Sequence, residues 1–176
     1  TVLSCARRAS RRRPGRGTDG GGAVKGAGDE CGVGGLGVRV MSAPAAAQLR
    51  SLLAPEASVA NPIDMIASAT AAQYGEVTRI IGAEPDVDAV MVLFNTPLLT
   101  RSVEVAEELI AARAALADDV ALVGVFMNRE GPPATLHAAG IPCFTAPENA
   151  ARALARSGRY DALVTLAEAL ALGASL

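Results

Sequence analysis

Aromatic side chains are scarce in this chain, which has two tyrosines, three phenylalanines and no tryptophan. Modules that bind single-stranded nucleic acid stack bases on aromatic platforms, so the composition argues against that class. Histidine occurs once, at His137, and cysteine three times, at Cys5, Cys31 and Cys143. An odd, widely spaced set makes neither a disulfide framework nor a metal cluster, and it favours a reducing, cytoplasmic setting. No apolar run is long enough to cross a bilayer. The expectations are therefore no metal site, no membrane partner and no nucleic-acid partner.

Small and aliphatic residues are abundant. Hydrophobic residues make up 51% of the 176, enough for the core of one domain with or without a tail. With so few rings, that core must be built from Ala, Val, Leu and Ile, which suits helices packed on a parallel sheet.

The net charge of -2 conceals two unlike segments. Residues 1–40 carry eight basic side chains against Asp19, Asp29 and Glu30, whereas the remainder carries eight basic residues and fifteen acids. Arg7, Arg8, Arg11, Arg12, Arg13 and Arg16 form a basic run, and eleven of the eighteen glycines lie between Gly15 and Gly37. A basic arm and an Arg- and Ser-rich targeting peptide are alternatives, but such a segment repels itself and has little to bury. The expectation is a disordered or non-native leader over residues 1–37, of the kind produced by reading a GC-rich gene out of frame. Gly32-Val33-Gly34-Gly35-Leu36-Gly37 matches G-x-G-x-x-G, but no hydrophobic strand precedes it, so it is not taken as a dinucleotide site.

Beyond the leader the signals become regular. Ser42 followed by Pro44 predicts a helix through Leu49 and Leu53, stopped by Pro55. Val59 to Met65 reads as a short strand or extended entry around Pro62. Thr70-Ala71-Ala72-Gln73 has capping-box spacing, so a helix over 71–83 is expected, with Tyr74, Val77, Ile80 and Ile81 on its apolar stripe. Ala89 to Phe94 is a continuous apolar run, as expected for a strand covered on both faces. Ser102 is placed as the cap of the next helix, with Glu104 in its first turn. Val120 to Phe126 predicts a second buried strand, and Pro132 or Pro133 a short helix ending at Gly140, a left-handed position. Ile141 to Phe144 predicts a third strand. Thr145 and Glu148 open a helix from Pro147 to about Ser157, and a helical tail is expected over 161–176. Alternating strands and helices at this spacing predict an α/β fold with a doubly wound parallel sheet.

Four pieces carry a family resemblance: Val59-Ala60-Asn61-Pro62-Ile63-Asp64, the strand ending in Asn95-Thr96-Pro97, Gly140-Ile141-Pro142, and Pro147-Glu148-Asn149-Ala150-Ala151-Arg152-Ala153-Leu154. In order and spacing they resemble the second flavodoxin-like ligase domain of NDP-forming acyl-CoA synthetases, the acetate–CoA ligase branch of the succinyl-CoA synthetase superfamily. The resemblance covers residues 38–160. It implies a flavodoxin-like sheet whose first strand, normally followed by an Asn-x-Gly-Gly loop, is not recognisable here. It also implies an ADP-forming enzyme in which a phosphohistidine shuttles a phosphoryl group between an acyl phosphate and ADP. The Ser-His-Thr-Gly segment of that histidine is absent from this sequence, as are the CoA-binding and ATP-grasp domains. A fragment or lone domain, inactive by itself, is expected. ATP or ADP, Mg and CoA are implied for the complete enzyme and none is expected to be bound by this chain alone. A different class, a regulatory synthetase-like domain in a multidomain protein acetyltransferase, shares the resemblance. A free-standing small-molecule binding module is a third reading. Flanking sequence distinguishes the first two.

No catalytic residue is assigned. The carboxyl edge of an open α/β sheet is where ligands bind, so Asn95, Thr96, Pro97, Thr100 and Ser102 are placed near the phosphoryl group. Asn61 and Asp64 are read as loop-orienting residues, and Met127, Asn128 and Arg129 share the same edge. His137 lies near a helix end without the motif of a phosphoryl carrier, and Cys143 is read as a small core residue.

Overall fold

The computed structural model describes the backbone of residues 2–6 and the whole of residues 37–95 and 100–157. Two short strands come first, β1 (Val2–Ala6) and β2 (Gly37–Val38). Next are helices α1 (Ala43–Leu52) and α2 (Ala71–Gly82), strand β3 (Ala89–Phe94) and helix α3 (Ser102–Arg113). Strand β4 (Ala121–Phe126), the short helix α4 (Ala134–Ala138) and strand β5 (Cys143–Phe144) follow. The last described helix, α5, occupies residues 147–157.

The heart of the sheet is three parallel strands, β3, β4 and β5, with Ala89 level with Ala121 and Phe94 with Phe126. Alternate residues of β3 face opposite ways. Val90, Val92 and Phe94 join Leu122 and Phe126 in a core closed by Leu49, Val77, Ile81, Leu109 and Leu136 from α1 to α4. Ala89, Met91 and Leu93 join Val123 and Val125 beneath Ala150, Ala151 and Leu154 of α5. Both faces of the sheet are thus covered by helices, which explains why all six residues of β3 are buried. Burying each large aliphatic side chain contributes about 1.5–3 kcal/mol, so this two-sided core dominates stability.

Several local expectations hold. Thr70 and Gln73 form both bonds of the capping box at the start of α2. Ser42 caps α1 by accepting from the Ala45 amide, with Pro44 in the first turn. Gly140 has φ +74° just past α4 and accepts a left-handed conformation that a Cβ would strain.

The structure corrects others. Val59–Met65, expected as a short strand or an extended entry, forms no strand; an isolated antiparallel bridge joins Ser58 to Asp64. The third parallel strand shrinks to Cys143–Phe144, because Pro142 has no amide to extend the ladder. Ser102 is the first residue of α3, not its cap, and Arg101 in the cap position makes no side-chain capping bond. Nor is the sheet wholly parallel. The far edge of β3 is taken by Val2–Ala6, running antiparallel with Val2 level with Val92 and Cys5 with Ala89, and Gly37–Val38 pairs beyond it. The first parallel strand of the flavodoxin-like pattern does not appear among the described residues. A buried strand leaves one row of amides and carbonyls on each edge, and any extended segment within reach can satisfy them. Six residues of the expected leader, Val2–Ala6 and Gly37, therefore occupy a place in the sheet. The rest of the leader, Thr1 and residues 7–36, and the expected helical tail over 161–176 lie outside the described residues.

Candidate functional site at the carboxyl edge of the sheet

Helices that alternate with parallel strands run opposite to them, so α2 and α3 both begin where β3 and β4 end. Three of the few aromatic rings meet there. Tyr74, in the first turns of α2, packs edge-on against Phe94 with ring centroids 5.7 Å apart, and Phe94 packs against Phe126 at 5.4 Å. Tyr74 lies on the apolar stripe expected of its helix, but no local pattern announces the cluster. The only sequence signal was a phenylalanine at the last position of both buried strands.

Burial and, secondarily, the charge of Asp64 push the Tyr74 phenol up to about 12, so it stays protonated across the physiological range. Asp64 itself is exposed, and its Oδ1 accepts from the Ile66 amide at 3.1 Å, holding a turn in which Ile66 has φ 55°. Asn61 donates from Nδ2 to the Arg39 carbonyl at 2.7 Å, and its peptide bond to Pro62 is cis. Arg39 in turn pairs with Asp86 in the turn that leads into β3. Both loop residues therefore bond backbone in loops.

The sequence-derived edge residues separate on inspection. Asn95 is exposed immediately after β3. Thr96 and Pro97 lie outside the described residues. Thr100 is buried, and its hydroxyl donates to the Ala69 carbonyl at 2.7 Å, so its proton is committed within the fold. Ser102 stands in the first turn of α3. That helix starts without a side-chain cap, and the one acid in its first turn, Glu104, lies 3.6 Å from Arg101. Its cap residue offers the leading amides no side-chain acceptor, and the positive end of a helix dipole favours an anion by about 0.3–1 kcal/mol.

Asn128 is the residue whose state the sequence did not reveal. The ladder between β3 and β4 continues one step past the strands, where the Met127 amide donates to the Phe94 carbonyl at 2.9 Å. Asn128 follows, and both polar atoms of its side chain are buried without a hydrogen-bond partner among the described residues. Leaving such a group unpaired costs about 1–3 kcal/mol, which makes it rare in native folds.

His137 and Cys143 lie elsewhere, lining an open hollow with Pro132, Pro133, Ala134 and Ala138. Burial pushes the Cys143 thiol up, so it is held protonated, and Sγ donates to the Ile141 carbonyl at 3.5 Å. No cluster of three or more metal-ligating side chains occurs among the described residues, and no described helix is long and apolar enough to cross a membrane.

Comparison with known proteins supplies the context for this edge. No family model matches the chain. The alpha subunit of the ADP-forming acetate–CoA ligase II of Pyrococcus furiosus is 32% identical over 111 residues, covering 60% of this chain and 24% of that subunit. The crystal structure of PH0766 from Pyrococcus horikoshii OT3 superposes with a TM-score of 0.70 at 30% identity, over 78% of this chain and 33% of that one. This chain is similar to a domain of the ADP-forming acetate–CoA ligases. The dinucleotide-forming acetyl-coenzyme A synthetase 1 of Ca. Korarchaeum cryptofilum gives a TM-score of 0.62 at 27% identity, over 82% of this chain and 34% of that enzyme. The same synthetase in complex with phosphate and ADP gives 0.63. The chain therefore spans about a quarter of the curated relative and a third of each solved chain. Its likeness to the ligases is that of a part to a whole.

Proposed function

We propose that this domain forms the phosphate-side wall of a composite site in an ADP-forming acyl-CoA synthetase, acting on a phosphohistidine carried by another domain. The observation that carries the reading is the start of α3. The N-cap residue Arg101 makes no side-chain capping bond, and Asn95, at the end of β3, is exposed. A phosphoryl group offers several acceptor oxygens and a negative charge, which suits unpaired amides at the positive end of a helix dipole. In a site closed by neighbouring domains, these donors would hold the phosphoryl group while its histidine moves it. Asn95 can add one amide donor.

The same residues do not make a nucleotide or metal site alone. Arg101 shares its charge with Glu104, Thr100 has spent its hydroxyl proton on Ala69, and no metal-ligating cluster occurs among the described residues. CoA-binding and ATP-grasp domains must supply the nucleotide, the metal ion and the thiol. The attraction available here would assist a phosphoryl group held elsewhere.

The test is Asn95→Asp in the complete enzyme assembled with those domains. A carboxylate beside the start of α3 should slow phosphoenzyme formation several-fold, read by transfer of labelled phosphate, with the domain's thermal transition nearly unchanged. Unaltered phosphorylation kinetics in a folded variant would remove this edge from the site.

A further inference from the structure

Helices α2 and α3 lie side by side, and different residues set their separation and their relative height along the helix axes. Small residues set the separation. A Cβ at Gly75 would lie 2.7 Å from Glu108 Oε2 and 3.2 Å from Glu108 Cβ, and one at Gly82 would run into the Leu116 side chain just past α3. A glycine permits close approach but offers no side chain to interlock with the facing grooves, so it does little to oppose sliding. Thr100 opposes it. The residue is buried, and its hydroxyl donates to the Ala69 carbonyl at 2.7 Å. Ala69 immediately precedes Thr70, the cap of α2, and Thr100 stands two residues ahead of Ser102, which opens α3. Because a hydrogen bond weakens steeply when stretched or bent, this one fixes the height of one helix start against the other.

We infer that Thr100 is a positioning residue for phosphoryl transfer at this edge, a role that rests on the composite-site reading above. It acts through the start of α3 and does not touch the phosphoryl group, since its proton is committed to Ala69. The Gln73 amide of α2 is already taken by the Thr70 hydroxyl, whereas Arg101 caps α3 with no side-chain bond. The height of α3 therefore decides where its unclaimed donors stand. That height matters, because misplacing a group by about 1 Å can cost on the order of a hundred-fold in rate.

The experiment uses the complete enzyme, assembled with its CoA-binding and ATP-grasp domains, as the parent and as Thr100→Val, Thr100→Ala, Thr100→Ser and Gly124→Ala. Gly124 lies mid-strand in β4, where a Cβ meets Cys143 and Phe126, so its variant controls for lost stability alone. Transfer of labelled phosphate from ATP to the histidine is followed below the thermal transition of every form. In the Val and Ala forms the maximal rate should fall on the order of ten-fold with the half-saturating ATP concentration unchanged, because the lost bond positions groups in the transition state. Thr100→Ser should restore the rate, and Gly124→Ala should keep it. Parental rates in the folded Val and Ala forms would overturn the inference. So would an equal loss in Gly124→Ala, or a raised half-saturating ATP concentration with the maximal rate unchanged. Asn95→Asp distinguishes the two failures. Slow phosphorylation in Asn95→Asp with parental rates in the Thr100 variants removes only the positioning role, whereas parental rates in all of them remove the edge itself.

Discussion

The Thr100 hydroxyl donates to the Ala69 carbonyl at 2.7 Å, tying the chain ahead of α3 to the residue ahead of the capping box of α2. The two helix starts that frame the carboxyl edge are thereby held together by one buried hydrogen bond. This decides Thr100's role, because a hydroxyl has a single proton to give.

Replacing Thr100 by Val keeps the shape and leaves the Ala69 carbonyl without its donor. The expected loss is about 1–3 kcal/mol, seen as a lower urea midpoint with an unchanged slope. Thr100→Ser should recover most of it. A Val variant as stable as the parent would mean that the bond does not hold the two helix starts together.

Gly124 sits in β4 where a Cβ would lie 2.9 Å from Cys143 Sγ and 3.1 Å from Phe126 Cε2. Gly124→Ala should therefore destabilise by about 1–3 kcal/mol through overpacking, although alanine is the better strand residue in isolation. Cys143→Ala in the same chain should recover part of that loss. A double-mutant cycle without coupling between the two sites would contradict this packing account.

The phenol of Tyr74, raised to about 12 by burial and then by Asp64, makes a pH-dependent contribution to stability. The shift is upward, so the contribution is complete below the unfolded value of about 10. It is lost as pH rises from about 10 to about 12, at up to ~1.4 kcal/mol per unit. Tyr74→Phe should remove that part of the alkaline loss and leave stability at neutral pH little changed. Parallel denaturation curves for the two proteins from pH 9 to 11.5 would show that the phenol is not excluded from water.

The isolated chain is expected to release no ADP in response to acetate and CoA, since the Ser-His-Thr-Gly segment and the ATP-grasp domain are absent from its sequence. Turnover by the purified chain above a buffer control would refute the division of labour proposed for the composite site.

Local signals in the sequence determined much of this domain. The continuous apolar runs at Ala89–Phe94 and Ala121–Phe126 can be buried only between two layers of helices, and they are. Thr70 with Gln73, Ser42 with Pro44, and Gly140 each act within a few residues of themselves, so their outcomes could be read in place. The carboxyl edge as a region was legible for the same reason, because a parallel strand that ends at Phe94 must deliver Asn95 there. Tertiary structure alone decided the rest. Val2–Ala6 pairs antiparallel with β3 because an open strand edge must be satisfied by whatever extended chain reaches it, and no local pattern announces that partner. Ser102 passes from cap to first turn, and Thr100 turns inward to Ala69, because the start of α3 is fixed by its packing on α2. Asn128 loses its water to the fold without gaining a partner among the described residues, and Tyr74 meets Phe94 across residues that are 20 positions apart. Hydrogen-bond partners and burial are properties of juxtaposition, and juxtaposition exists only once distant segments have packed.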